Sequence, residues 1–145
     1  MSYTKPLIEG LAQLLAAEGI GTWKANGAYT ASEVGITVTA VPDTPDQIIA
    51  LTPYAVEDSS GTTDVITGVQ LRFRAGPDPR VVIDREDTVY ELLHMREHTE
   101  IGGIHVALMW RQSLAFIGAD DRGRQELTAN YYLRAVRLAP NLIET

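Results

Sequence analysis

Apolar positions in this chain recur first at helical spacing, then at strand spacing, and the switch between the two periods sets out the fold. Leu7, Ile8, Leu11, Leu14 and Leu15 gather on one helical face. Thr4 is a capping residue, Pro6 is tolerated in a first turn and Gly19 supplies a stop, so a helix is predicted over 5–18. The stretch 21–35, with Trp23, Asn26-Gly27 and Tyr29, reads as an irregular connection pinned by its aromatics. Ile36, Val38 and Ala40 then alternate with threonines until Pro42, and 42–46 forms a proline-rich turn. A second strand is predicted over 47–56, with Pro53 marking an edge or a bulge.

The polar, acidic run 57–64 predicts a mobile hairpin loop. After it, Val65, Thr67, Val69, Leu71 and Phe73 face one way, and Gly68, Gln70, Arg72 and Arg74 the other. Gly76-Pro77-Asp78-Pro79 breaks this strand and opens a second helix over 80–97, with Val82, Val89, Leu92 and Leu93 buried and Asp84, Arg85, Glu86, Asp87 and Glu91 wet. Beyond Gly102-Gly103, Ile104, Val106, Leu108 and Trp110 alternate with His105, Ala107, Met109 and Arg111. A second mobile loop is expected over 113–125, and a last strand alternates Leu127 to Ala135 against Thr128 to Arg134. The expected fold is α+β, a single domain over 1–145 in the order α-β-β-β-α-β-β. Strands grouped in runs predict a mainly antiparallel sheet with both helices on one face.

Composition narrows the function. Hydrophobic residues at 45% and charged residues at 21% describe an ordinary globular chain with a core of its own. No apolar run is long enough for a membrane span, and the first residues lack the pattern of a signal peptide, so a membrane role is not expected. With no cysteine, disulfide frameworks, thiolate metal sites and cysteine nucleophiles are excluded, and a reducing cytoplasm is the expected folding compartment. A formal charge of −7 opposes phosphate gripping, which makes a dedicated nucleic-acid binder a poor reading.

One catalytic pattern occurs. His94-Met95-Arg96-Glu97-His98 matches H-x-x-E-H, in which two histidines on one helical face hold zinc and a glutamate activates water. The match falls at the predicted helix end, where histidine and arginine suit the free carbonyls, and a third ligand would have to be Glu126 or Glu144. A zinc hydrolase using His94 and His98 is therefore the alternative of another class. No G-x-S-x-G, P-loop or G-x-G-x-x-G is present. Asp120-Asp121-Arg122-Gly123 lacks the alternating ligands of a calcium loop and reads as a turn. The expectation is no catalytic residue, no metal and no cofactor.

The outward side of the strands is the stronger candidate. Gln70, Arg72 and Arg74 form a polar row, with Arg111, Tyr132 and Arg134 as its expected neighbours. Arginine and tyrosine are favoured at interfaces, and a sheet covered by helices on one face leaves the other for a partner.

Ser2-Tyr3-Thr4-Lys5-Pro6-Leu7 with the Leu-rich helix, and Ile20-Gly21-Thr22-Trp23, resemble a family labelled minor capsid or tail terminator protein in long-tailed phages of actinobacteria. The resemblance continues through 68–76, Asp78-Pro79-Arg80, Leu92-Leu93-His94, Asp120-Asp121-Arg122-Gly123-Arg124 and Asn130-Tyr131-Tyr132-Leu133. It implies a non-enzymatic virion subunit, assembled in the host cytoplasm as a homo-hexameric ring at the head–tail junction. Such a ring caps the tail tube, stops its polymerisation and docks a head-side connector or stopper. Its partners are copies of itself, the tail tube protein and that connector. DNA passes its channel without specific binding, and a negative lumen favours such passage. Asp120, Asp121 and Arg124 join the strand row as candidate subunit or partner contacts. A head–tail stopper or connector is the nearest alternative role, and 140–145 is a candidate docking tail.

Overall fold

Helix α1 (Thr4–Ala17) opens the described part of this computed structural model, which covers residues 2–142. Ile143–Thr145 of the candidate docking tail, and with them the ligand candidate Glu144, lie outside the described residues. Thr4 is the first helical residue and Tyr3 holds the cap position without a side-chain cap bond. The Tyr3 ring is buried instead, its hydroxyl 2.7 Å from Thr67 Oγ1. Strands β1 (Thr22–Trp23), β2 (Gly35–Val38), β3 (Ile48–Asp58) and β4 (Asp64–Arg74) follow, then α2 (Pro79–Leu93), β5 (Arg96–Ile101), β6 (Ile104–Ala119) and β7 (Gln125–Val136).

These strands form one sheet in the order β1-β2-β3-β4-β7-β6-β5. β1, β2 and β3 are parallel neighbours; every other pair is antiparallel. The α+β class and the mainly antiparallel sheet are as expected, but β1 and β5 were not read from the sequence and the β2–β3 pair is parallel. The reason lies at Arg74. Its buried guanidinium donates to the carbonyls of Pro42, Asp43, Pro45 and Asp46, which clips a return loop over the sheet so that β3 starts level with β2. Proline spacing identified the turn but not the clip that reverses its direction.

Both helices lie on one face. α1 reaches β1, β2 and β3 at one end of the sheet and β5 at the other, so the sheet curls around it. The helix meets the β5–β6 turn at close range: a Cβ on Gly102 would come 1.8 Å from the Pro6 carbonyl oxygen, and one on Gly10 2.4 Å from the Gly102 backbone nitrogen. Glycine at both positions allows this contact, and Gly102 also holds a φ of 59°. Leu7, Leu11 and Leu15 pack in one core with Ile36, Ile49, Leu51, Leu71, Phe73, Leu127 and Leu133.

α2 begins as expected, with the Asp78 carboxylate accepting the Arg80 N–H at 3.0 Å and Pro79 in the first turn. It ends at Leu93, earlier than the predicted 97. Met95 takes a positive φ of 61° and its N–H donates to the Met109 carbonyl, so the chain enters β5 beside β6. Tertiary pairing overrides helix propensity here. The loop expected over 113–125 is also replaced: β6 continues to Ala119 and only 120–124 turns. The acidic loop narrows to 59–63, because β3 and β4 extend to Asp58 and from Asp64.

Candidate assembly interface

On the face without helices, cross-strand register builds levels of side chains. Tyr54, Gly68, Tyr132 and Trp110 stand level on β3, β4, β7 and β6. Tyr54 lies over Gly68, where a Cβ would come 2.3 Å from its ring, and its hydroxyl donates to Asn130 Oδ1 at 2.8 Å. Trp110 and Tyr132 meet edge to face, with ring centroids 5.8 Å apart. This aromatic belt holds Tyr54 exposed and the other two half-buried. The neighbouring level is polar: Thr52, Gln70, Asn130 and Ser113, with Asn130 Nδ2 donating to Ser113 Oγ at 3.1 Å. Next, Arg72 Nε donates to Glu126 Oε1 at 2.7 Å. Arg134, exposed near the sheet's other end, pairs with Asp64.

Gln70, Arg72, Tyr132 and Arg134 therefore share the open face, while the remaining candidates do not belong to a free row. Arg74 is buried and spent on its carbonyl clip. Arg111 stands level with buried Tyr131 on the helix-covered face, because β6 slips register between Val106 and Leu108 and again between Arg111 and Ser113. The first slip also separates Val106 from Leu108 and Trp110, which simple alternation had grouped.

Asp120 and Arg124 are likewise internal. Arg124 is buried, donating from Nε to Asp120 Oδ2 at 2.8 Å and from Nη1 to the Asp43 carbonyl at 2.7 Å and Asp46 Oδ1 at 3.1 Å. Burial pulls its pKa down, and hydrogen bonds to Asp120, Asp46 and Asp43 more than reverse that. Hydrogen bonds from Arg122 and then Arg124 hold Asp43 below the usual carboxylate range. The cluster fastens the β6–β7 turn to the return loop that Arg74 clips. Asp121 alone of this group is exposed with no hydrogen bond or ion pair among the described contacts.

A buried polar cluster lies under α2, where the sequence reading put Glu86 on a wet face. Glu86 is 1% exposed; Tyr131 donates its hydroxyl to Oε1 at 2.5 Å, and Arg111 Nη1 stands 3.5 Å away. Burial raises the Glu86 pKa to about 7, against the opposing effects of Tyr131 and Arg111, and Oε2 has no partner. The Tyr131 pKa is raised first by burial and then by Glu86. Arg111 also lies over the Tyr90 ring, 4.4 Å from its centroid. No sequence signal distinguished Glu86 from its acidic neighbours, although Val82, Val89 and Leu93 share its helical face.

The histidine pattern loses the geometry it needs. His94 caps α2, stacks on Tyr90 with centroids 4.4 Å apart, and accepts the Arg111 N–H on Nδ1 at 3.1 Å. His98 lies in β5 and stacks with His105. Glu126 is buried against Arg72, and no group of three or more metal-ligating side chains occurs among the described residues.

Beyond the belt, β6 carries exposed Leu114, Phe116 and Ile117, with Phe116 61% exposed, and β3 carries exposed Tyr54 and Val56. Neither set was singled out in the sequence, because the first fell inside an expected loop.

Residues 14–137 match the model of a family described as bacteriophage tail terminator protein. No curated protein matches. One solved structure, whose label names no function, is 14% identical, covers 96% of this chain and 99% of its own, and superposes with a TM-score of 0.50. A likeness at that identity concerns the fold alone.

Proposed function

This chain belongs to the bacteriophage tail terminator family, a structural component of the phage tail that meets other tail and head parts; on that premise we propose that it forms a homo-hexameric ring at the head-proximal end of the tail tube. There it ends tube polymerisation and presents the surface to which the head-side connector docks. The observation that supports assembly is the uncovered sheet face, where Tyr54, Trp110 and Tyr132 stand in one belt beside Gln70 and Arg72. Aromatic and arginine side chains held rigidly on a strand platform are the anchors that interfaces favour. The net charge of −7 suits a ring that DNA crosses, since a negative wall does not retain phosphate.

The test is positional. Electron cryo-microscopy of assembled virions should find a ring of this chain directly on the tube protein, and phage lacking the chain should produce unjoined tails of uncontrolled length. A ring found only on the portal side, with tail length unchanged, would assign the stopper role instead.

A further inference from the structure

Besides the outer edges of the terminal strands β1 and β5, two stretches of the inner strands lack a partner on one side among the described residues, and they lie at diagonally opposite corners. β2 accompanies β3 only to Leu51, because Thr39 turns the chain away with a φ of 60°. The β3 edge from Pro53 to Asp58 is then unpaired among the described residues. At the other side, β5 accompanies β6 only to Met109, and His94 takes the Arg111 N–H. From Gln112 to Ala119 no described strand lines the outer edge. An unpaired edge that is also apolar is a template for another chain, and soluble proteins usually blunt such edges with charge or cover them. Here β6 instead displays Leu114, Phe116 and Ile117, and β3 displays Tyr54 and Val56.

We propose that copies of this chain join head to tail, the free edge of β6 (Gln112–Ala119) pairing with the free edge of β3 (Pro53–Asp58) of a second copy. This rests on the ring reading above and names the contact that closes it. Three observations select a second copy as the occupant. Each chain carries both halves of the contact, at opposite edges, so each added copy leaves the next edge available. That is the heterologous arrangement from which rings are made. Within the sheet β3 and β6 run in opposite directions, so a copy that continues the sheet sideways meets its neighbour in an antiparallel ladder. Charge agrees with that direction. Antiparallel pairing brings the Glu57–Asp58 end of β3 beside the start of the free β6 segment, where Arg111 is part-exposed, and keeps it away from the acidic Asp120–Asp121 turn. The diagonal offset between the two edges is accommodated when strands incline to the ring axis, as closed sheets do by about 35–45°.

The chain has no cysteine, so introduced thiols report only the contact they are placed in. Val56→Cys combined with Leu114→Cys, treated with a short bismaleimide, should yield covalent multimers stepping up to the ring. Their yield should be about tenfold above either single variant, both in free oligomers and on purified tails. Covalent dimers from Leu114→Cys alone would mean that β6 pairs with its own copy, and would overturn the proposal. So would an absence of cross-links in a preparation that native mass spectrometry shows as a ring; copies would then join through other surfaces and the ring reading would stand. A tail end imaged without any ring of this chain defeats both. Phe116→Lys provides the second arm, because its side chain is mostly exposed and the melting temperature should hold. The ring population at fixed concentration should fall about tenfold, and an unchanged population would overturn the edge pairing.

Discussion

The two faces of strand β4 carry the same backbone into opposite environments. Towards the helices, Val69, Leu71 and Phe73 are completely buried, with partners supplied by α1, α2 and the neighbouring strands. Towards the open side, Gln70 and Arg72 are half-buried by lateral neighbours alone, and Tyr54 from β3 roofs Gly68. The covered face is finished within one chain. On the open face Tyr54, Arg72 and Asn130 are held by lateral hydrogen bonds, and no described helix covers them. On the assembly proposed above, this ordered face would meet a partner with part of the ordering cost of its side chains already met.

Substitutions on the two faces should therefore separate folding from assembly. Phe73→Ala on the covered face should cost about 3–5 kcal/mol in urea denaturation and abolish assembly only by unfolding the chain. A cost below 1 kcal/mol would place Phe73 outside a close-packed core. Glu86→Gln probes the polar exception on that face. A carboxyl whose folded pKa is raised to about 7 stabilises below its unfolded value and loses that contribution as pH rises through 7. The native chain should thus lose about 2 kcal/mol between pH 5 and pH 8, and the glutamine variant should stay flat over that window. Parallel curves for the two proteins would mean that Glu86 ionises in the fold at ordinary cost. On the open face, Trp110→Ser should change stability by about 1 kcal/mol while weakening ring association by roughly 2 kcal/mol or more, read by native mass spectrometry against concentration. Equal losses in both readouts would erase the distinction between the faces. The smallest effect belongs to Arg134→Ala: its ion pair with Asp64 is open to water at both partners, so the melting temperature should not move.

Charge reversal at Arg72 is a poorer test of the same face. A carboxylate there would confront buried Glu126, so Arg72→Glu would mix unfolding with lost contacts.

Much of this division was legible before any coordinates. The alternation of Val65 to Phe73 against Gly68 to Arg72 described β4 correctly, and the leucine stripe described α1, because burial imposes those periods directly. Pro53 was rightly assigned to an edge, and the register shift beside Ala55 lies close to it. What could not be read depends on contacts distant in sequence. Arg74 continues the open-face alternation in the sequence, yet the carbonyls of Pro42 and Pro45 enclose it. Arg111 is displaced by register slips that leave no compositional trace in β6. His94 ends its helix because β6 offers an N–H, which nothing near His94 announces. Trp110 was grouped with Val106 for the same reason that Arg111 was misplaced, so the belt it forms with Tyr132 stayed hidden.

The position of β7 has a consequence for the order of events during synthesis. This late strand sits in the middle of the sheet, between β4 and β6. A nascent chain that has not yet delivered Gln125–Val136 holds two half-sheets with no ladder between them. Arg124, which fastens the return loop at Asp43 and Asp46, arrives only just ahead of it. The free edges of β3 and β6 thus reach their final separation in one late, long-range closure, the kind of step that is slow because distant segments must meet first. If copies pair through these edges as proposed, growing chains on neighbouring ribosomes would lack the geometry by which they recognise one another, and self-association would wait until each subunit is whole.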